Sequence, residues 1–261
     1  MVQVTVIGCG HMGSALVRGL SRAGEHDVTA YDVDASALEE VAPYCQQTTT
    51  DIDEAAESAV VVLTVKPDVV GTVLQELDLS SDRTLVTAAA GVPTAFVEER
   101  TDATVVRLMP NLAAETGDMA AGVSWDEPDA DVRRLLEDLG EAVEIDEELM
   151  DTATALNGSG PAFVFYVLKA MKQAGVEEGL SADDAEVLAA QTFKGAAQTV
   201  LHSDQSVDEL IDAVCSPKGT TIEGMAVLRE SDVETVVGEA LFAAADRARE
   251  LAEEFDSEQG R

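Results

Sequence analysis

The chain has 261 residues, with 51 Asp or Glu against 16 Lys or Arg, which gives a formal net charge of −35 at pH 7. So many carboxylates would repel phosphate backbones and anionic lipid headgroups, which excludes nucleic acids and membrane surfaces as partners. Apolar residues make up 46% of the sequence, enough to bury a full core, which excludes global disorder.

The acidic residues are spread along the whole chain, and only five of the cationic residues are lysines. This pattern predicts a halophilic protein, because a Debye length of about 3 Å at 1 M salt hides the self-repulsion. Three cysteines without a C-x-x-C pair, and a start without a basic signal region, predict a reducing cytoplasm. Three scattered histidines predict no metal site.

The first half alternates apolar runs with segments of helical spacing, which predicts βαβ units and a mostly parallel, Rossmann-like sheet in a domain covering 1–150. The predicted strands are Val2–Ile7, Val28–Tyr31, Val60–Val65, Thr84–Ala88, Thr104–Leu108, Ala120–Ser124 and Ala142–Ile145. The predicted helices are Ser14–Ala23, Asp68–Leu77 and Asp129–Leu139.

The second half, 151–261, shows helical periodicity only and predicts an all-α domain. Pro161 fits the start of an apolar helix over Ala162–Ala174, and Gly175 fits its C′ position. Helix starts of the capping-box type are predicted at Ser181 with Asp184, Ser206 with Glu209, and Ser231 with Glu234. Because two of these helices are apolar around much of their circumference, a homodimer is favoured over a monomeric bundle.

The first predicted βα turn reads Gly8-Cys9-Gly10-His11-Met12-Gly13, a G-x-G-x-x-G fingerprint. Its glycines allow a tight turn, close approach of a pyrophosphate, and close packing of helix on strand. The helix that opens near His11 and Met12 would then offer free N–H groups to the phosphates. This pattern predicts a dinucleotide site.

Asp32 ends the second predicted strand, where an acid binds the ribose 2′-hydroxyl of NAD. No Arg or Lys follows to receive a 2′-phosphate, so NADH is favoured over NADPH. The alternative is that Asp32 is one more solvated acid. Two further strand ends, Val65-Lys66-Pro67 and Ala89-Ala90-Gly91, are predicted to wall the nicotinamide ribose, with Lys66 either touching an anionic group or lying at the surface.

Two glycine-rich segments in the helical half are not explained by helix packing: Asn157-Gly158-Ser159-Gly160-Pro161 and Ser216-Pro217-Lys218-Gly219-Thr220-Thr221. In the second, Thr220 and Glu223 have capping-box spacing, so backbone N–H groups at a helix start would suit a small carboxylate. A purely structural loop remains the alternative for each segment taken singly.

With these segments, the chain resembles the pyrroline-5-carboxylate reductases, which reduce a cyclic imine to proline. The segments that carry the resemblance are Gly8–Gly13, Val65–Pro67, Ala89–Gly91, Arg107–Asn111, Asp151–Pro161 and Ser216–Thr221. The resemblance implies a cytoplasmic NAD(P)H-dependent enzyme with a Rossmann-like N-terminal domain. It also implies a helical domain that interlocks two subunits, sometimes within a larger ring of dimers.

The resemblance further implies roles for single residues. Thr221 and Ser216 would be catalytic, Gly219 and Thr220 would bind the substrate carboxylate, and Asn111 would join the cofactor site. Asn157, Gly158, Ser159, Gly160 and Pro161 would line the other wall of the substrate site. Departures from the family pattern occur at His11, Leu112–Ala113, Asn157, Phe163 and Lys218, where the family commonly has Asn, Thr-Pro, Ser, Tyr and Gly.

Two other functions stay open at this point. One is a related two-domain dehydrogenase acting on imines or hydroxy acids, for which Lys169, Lys172, Lys194 or His202 would have to be catalytic. The other is a catalytically silent nucleotide-sensing protein, against which the intact Ser216–Thr221 segment argues.

Overall fold

A computed structural model of the chain describes residues 1–127 and 129–259. The chain forms two compact units, one made of Met1–Gly158 with Ala243–Arg261 and the other of Ser159–Phe242. The first unit extends past 150 because Met150 and Ala155 are fully buried within it. The division at 150/151 stays a prediction.

Within the described residues, the first unit is built on an eight-stranded sheet of order β3-β2-β1-β4-β5-β6-β7-β8. The strands β1 to β8 are Val2–Ile7, His26–Tyr31, Gln47–Thr49, Val60–Leu63, Thr84–Thr87, Thr104–Met109, Met119–Ser124 and Gly140–Glu144. All neighbours pair in parallel except β6 and β7. The predicted mostly parallel, Rossmann-like sheet is confirmed. Strand β3 was not predicted, because three polar residues give no apolar signal.

Helices cover both faces of this sheet. In chain order, α1 to α7 are His11–Ala23, Ala35–Val41, Ile52–Ala55, Pro67–Glu76, Thr94–Glu98, Ala130–Leu139 and Met150–Ala153. On one face, Leu16, Leu20 and Leu139 pack against the sheet, and on the other Leu74, Val97 and Phe255 do so. Phe255 lies near the end of the chain and packs edge-on against Phe96, with ring centroids 4.9 Å apart.

The second unit is helical throughout, as predicted, in the part of the chain that the structure describes. Helices α8 to α12 are Gly160–Glu177, Ala182–Leu201, Val207–Val214, Thr220–Glu230 and Val233–Gln259, and the end of α12 belongs to the first unit. Of the described helices, none is long and apolar enough to cross a membrane.

Two local predictions in this half are wrong. Gly175 lies inside α8, and the left-handed residue that follows this helix is Gly179, with φ 107°. Gly175 is small because a Cβ there would lie 3.3 Å from Leu180 and 3.4 Å from Ala185. The caps at Ser181 and Ser206 form as predicted. The Ser231 hydroxyl accepts from the Val233 N–H at 3.3 Å and donates to the Leu228 carbonyl at 2.7 Å, but α12 begins one residue later than a Ser231 N-cap requires.

Helices α8 and α9 leave an unusually apolar surface exposed. Phe165 is 67% exposed, Tyr166 75%, Val187 67% and Leu188 57%, whereas only Ala185 and Ala189 are buried on these two helices. We call the surface formed by these four large side chains the α8–α9 face. A single copy of the chain does not bury it.

Candidate active site

The fingerprint loop after β1 has the backbone geometry that a pyrophosphate needs. Gly8 has φ 94°, and its N–H donates to the Tyr31 carbonyl at 2.9 Å. A Cβ on Gly13 would lie 1.9 Å from the Gly8 carbonyl oxygen, so no larger residue fits there. Gly10, in contrast, is exposed and has no atom within 4 Å of its Cβ position. The loop is therefore tight on its inner side and open on its outer side.

Helix α1 starts at this open side. Gly10 is its N-cap and supplies no side-chain partner, so the first N–H groups of the helix, from His11 onward, have no intrahelical acceptor. The Ser14 hydroxyl donates to the Cys9 carbonyl at 2.8 Å and fixes the loop. Met12 packs on the core, whereas His11 is exposed. The free amides and the helix dipole fit the phosphates of a dinucleotide.

Asp32 lies at the end of β2 and accepts a hydrogen bond from the fingerprint loop, a contact that the sequence did not predict. One carboxylate oxygen accepts from the Cys9 N–H at 2.6 Å, and the other accepts from the Asp34 N–H at 2.9 Å. Asp34 itself caps α2, and its hydrogen bonds from Ser36 lower its pKa. The Asp34 carboxylate is thus engaged by the start of α2, whereas Asp32 contacts the fingerprint loop.

Cys9 is the middle residue of the glycine-cysteine-glycine turn, yet it is not a nucleophile. Burial, and then the nearby Asp32 carboxylate, raise the pKa of its thiol to about 12. The thiol therefore stays protonated and donates to the Tyr31 carbonyl at 3.6 Å.

The two other strand ends lie where parallel topology places them. After β4, the Thr64 hydroxyl donates to the Gly8 carbonyl at 2.6 Å, which ties the Val65–Pro67 turn to the fingerprint loop. Lys66 is exposed at the N-cap of α4 and Pro67 is the first helical residue. After β5, Ala89 and Gly91 are buried, and a Cβ on Gly91, with φ 75°, would lie 3.2 Å from the Ala252 nitrogen.

An ion pair between buried Arg107 and partly exposed Glu147 lies near the end of β5 and was missed by the sequence prediction. Arg107 on β6 is 6% exposed, and its guanidinium lies 2.8 Å from a Glu147 carboxylate oxygen. The same oxygen accepts from the N–H and the hydroxyl of Thr94, both at 2.7 Å. Burial alone would raise the pKa of Glu147, but the hydrogen bonds from Thr94 and Arg107 together have the larger effect. The pKa of this carboxyl therefore lies below its usual value. An arginine inside a buried strand signals such a partner, although not which one.

The side chains of Asn111 and Asn157 both hold the 157 segment in place. The Asn111 amide donates to the Asn157 carbonyl at 3.1 Å, and the Asn157 amide donates to the carbonyls of Met109 and Ala120 at 2.7 and 2.9 Å. Asn157 lies in a π-helical turn, Thr154–Ser159. Both side chains therefore lock the 157 segment to the carboxyl end of β6, and their predicted cofactor and substrate contacts stay predictions.

Ser159, Gly160 and Pro161 of this segment belong to the second unit, and Gly158 ends the first part of the first unit. Ser159 is the N-cap of α8 without a side-chain cap, and Pro161 lies in its first turn. Gly160 has no atom within 4 Å of its Cβ position, and Gly158 is exposed. The segment therefore offers open backbone and few side-chain atoms.

The Ser216–Gly219 segment is a reverse turn that leads directly into α11. The Gly219 N–H donates to the Ser216 carbonyl at 2.9 Å, Pro217 occupies the second position, and Lys218 has φ 63°. This is the type II pattern, which requires positive φ at its third position and normally places Gly there. The family's glycine at position 218 thus has a backbone reason.

The start of α11 differs from the prediction in two respects. Gly219, not Thr220, is the N-cap, and no side chain caps the helix. Because the Gly219 N–H is already used in the turn, the open amides are those of Thr220 and Thr221. A Cβ on Gly219 would lie 2.5 Å from the Ser216 hydroxyl oxygen, so the glycine keeps Ser216 beside the helix start.

The sheet, its fingerprint loop and the acid at the end of β2 define a dinucleotide-binding protein of the Rossmann type. The model of the family described as pyrroline-5-carboxylate reductase dimerisation matches residues 147–251. A second model, described as NADP oxidoreductase, coenzyme F420-dependent, matches residues 3–91.

Comparisons over the whole chain with known proteins indicate the same family. The chain is 37% identical to the pyrroline-5-carboxylate reductase of Methanosarcina acetivorans over 95% of its length and 97% of the relative's. The solved pyrroline-5-carboxylate reductase from Coxiella burnetii is 31% identical, with TM-score 0.85 over 96% of this chain and 98% of that one. The Plasmodium falciparum pyrroline carboxylate reductase, solved with NADP bound, is 28% identical, with TM-score 0.81 over 96% and 98%. The chain belongs to the pyrroline-5-carboxylate reductase family, which confirms the resemblance found in the sequence.

Proposed function

We propose that the protein is an NAD(P)H-dependent reductase of 1-pyrroline-5-carboxylate and forms L-proline, the last step of proline biosynthesis. The observation that carries this proposal is the Ser216–Thr221 turn. It sets the hydroxyls of Ser216, Thr220 and Thr221 and two open amides at the start of α11, in a chain that also holds a complete dinucleotide loop. The names of the relatives support the same substrate.

Substrate binding rests on backbone groups in this proposal. The N–H groups of Thr220 and Thr221 and the positive end of the α11 dipole suit the substrate carboxylate. The Lys218 ammonium lies in the same turn and adds a cation near the carboxylate in an otherwise acidic protein. The wall of Asn157, Gly158, Ser159, Gly160 and Pro161 would exclude water from the ring.

A bound nicotinamide dinucleotide would supply the hydride that reduces the carbon of the C=N bond. The protonated iminium is the better electrophile, so the protein's task is to keep a proton on the ring nitrogen. We assign to the Thr221 hydroxyl the hydrogen bond with the ring nitrogen and the relay of its proton, supported by Ser216. Since charge is dispersed in this step and not created, no strong general base is needed.

The Thr221 assignment predicts that Thr221→Ala lowers kcat strongly without changing dinucleotide binding. One oriented donor to a developing charge is worth about 2.7–4 kcal/mol, and we expect less here because the charge is dispersed. Thr221→Ser should recover most of the turnover, and Thr220→Ala is the matched control, since it keeps the backbone N–H. Wild-type kcat in Thr221→Ala would contradict the assignment.

For the cofactor, we propose NADH over NADPH. Asp32 is held at the end of β2 by two backbone N–H groups, and Asp34 lies two residues further on. The Asp32 carboxylate disfavours a 2′-phosphate, and no Arg or Lys lies between 32 and 36. Gly8, Gly10, His11, Met12 and Gly13 would hold the phosphates, and the turns Val65–Pro67 and Ala89–Gly91 would wall the nicotinamide ribose.

We further propose a cytoplasmic, halophilic homodimer that can assemble into rings of dimers. The α8–α9 face is apolar and exposed, and the dimerisation family model covers it, which supports pairing through these helices. A monomer mass in molar salt would contradict the dimer. Full folding in salt-free buffer would contradict the halophilic assignment.

A further inference from the structure

The carboxylate of Glu147 links the start of α5 to β6 beyond the point where the backbone pairing of β5 with β6 ends, at Thr87 and Arg107. Thr94 begins α5, three residues after Gly91, and donates twice to the carboxylate. Arg107 donates to the same oxygen from β6. Glu147 therefore ties the loop after β5 to the sixth strand.

Both tied segments lead to proposed site residues. The loop after β5 carries Ala90 and Gly91, the proposed nicotinamide wall. Two residues beyond Arg107, the Met109 carbonyl accepts the Asn157 amide at 2.7 Å, so β6 also fixes the first residue of the proposed substrate wall. Glu147 thus contacts both the segment that follows Gly91 and the strand whose end holds Asn157.

We propose that Glu147 is a positioning residue for hydride transfer, which holds the loop after β5 against β6 through Thr94 and Arg107. The proposal rests on the proposed function and adds to it a residue outside the family motifs. Hydride transfer depends steeply on the distance between donor and acceptor, so a small shift of one wall lowers kcat more than it lowers binding.

The first test removes the hydrogen bonds between Glu147 and its partners without leaving an unpaired buried charge. In the double variant Arg107→Met, Glu147→Met, two apolar side chains replace the ion pair, so the buried Arg107 guanidinium is not left without its carboxylate partner. We expect a melting temperature near that of the wild type, KM values for the imine and NADH that change little, and a kcat lowered at least about tenfold. A stable double variant with wild-type kcat would overturn the proposal.

The second test covers the case in which the double variant does not fold. Thr94→Val removes only the hydroxyl donor and keeps the N–H bond to Glu147. Thr84→Val is the matched control, because the Thr84 hydroxyl also donates to a carboxylate, that of Asp129 at 2.9 Å, but at the opposite end of β5. We expect kcat to fall several-fold in Thr94→Val alone.

Equal kcat values in the two valine variants would overturn the positioning role. Activity of the wild type towards the imine is measured in the same series. A wild-type protein without activity would overturn the proposed function and this proposal together. An active wild type with an unchanged Thr94→Val variant would overturn this proposal alone.

Discussion

The position of Asp32 leads to a quantitative prediction about cofactor choice. In Asp32→Asn, the new amide oxygen can still accept from the Cys9 N–H, which keeps the fingerprint loop in place. The bond to the Asp34 N–H is lost, but this group is exposed and water can replace the acceptor. The substitution therefore removes a charge with little change of structure.

The magnitude follows from the partial exposure of Asp32. Two unit charges 4 Å apart interact by about 1 kcal/mol in water and about 4 kcal/mol at an effective dielectric constant of 20. For a carboxylate at the rim of the site, we take about 1–2 kcal/mol of repulsion towards a 2′-phosphate. Since 1.4 kcal/mol is tenfold, the ratio of kcat/KM for NADPH to that for NADH should rise about five- to thirtyfold.

Steady-state kinetics with both cofactors, at low and molar salt, measure this ratio. The rise should shrink in molar salt, where the Debye length is about 3 Å. Asp34→Asn is the matched control: it removes an equal charge two residues away, and Asn caps a helix as well as Asp does. If both variants shift the ratio equally, the local reasoning about Asp32 is refuted and only net charge matters.

Three further predictions concern single residues. Lys218→Gly should raise the free energy of unfolding of the second unit by up to about 1 kcal/mol in denaturant titration. The left-handed backbone costs a non-glycine residue about 1–2 kcal/mol, and the greater conformational entropy of glycine in the unfolded chain offsets part of the gain. A loss of stability would contradict the type II turn. Gly13→Ala should abolish dinucleotide binding in calorimetry, since its Cβ would lie 1.9 Å from the Gly8 carbonyl oxygen, and wild-type affinity would refute this. The stabilisation from Glu147 should be complete above its unfolded-state pKa and be lost as the pH falls through its lowered native pKa. Urea titrations of the wild type and Glu147→Gln between neutral and acid pH measure this loss. Parallel dependences of the unfolding free energy on pH in the two proteins would contradict it.

The sequence predicted the elements that carry strong local signals. Apolar runs such as Val60–Leu63 are buried in the sheet on both faces, so composition alone reveals them. The predicted end of α8 was wrong for a physical reason. Position 175 needs a glycine because α9 approaches closely, and a contact between two helices leaves no signal in the local sequence. The short polar strand β3 escaped because it forms by pairing with β2.

The same distinction holds at the candidate site. The glycine fingerprint was predictable because its spacing follows from local backbone geometry. Asp32 accepts a hydrogen bond from Cys9, and Glu147 accepts hydrogen bonds from Thr94 and Arg107. These partners lie 23 to 53 positions apart in the sequence. One sequence does not show such partners. The departure at Lys218 became interpretable only when the turn revealed its positive φ.

Transfer of a labelled hydride tests the central claim most directly. The protein is incubated in molar salt with 1-pyrroline-5-carboxylate and with NADH or NADPH deuterated at the nicotinamide C4, and the product is examined by NMR. The account predicts L-proline with deuterium on the ring carbon that is bonded to nitrogen and remote from the carboxylate. Absence of labelled proline with either cofactor, from a folded protein that binds the dinucleotide, would contradict it.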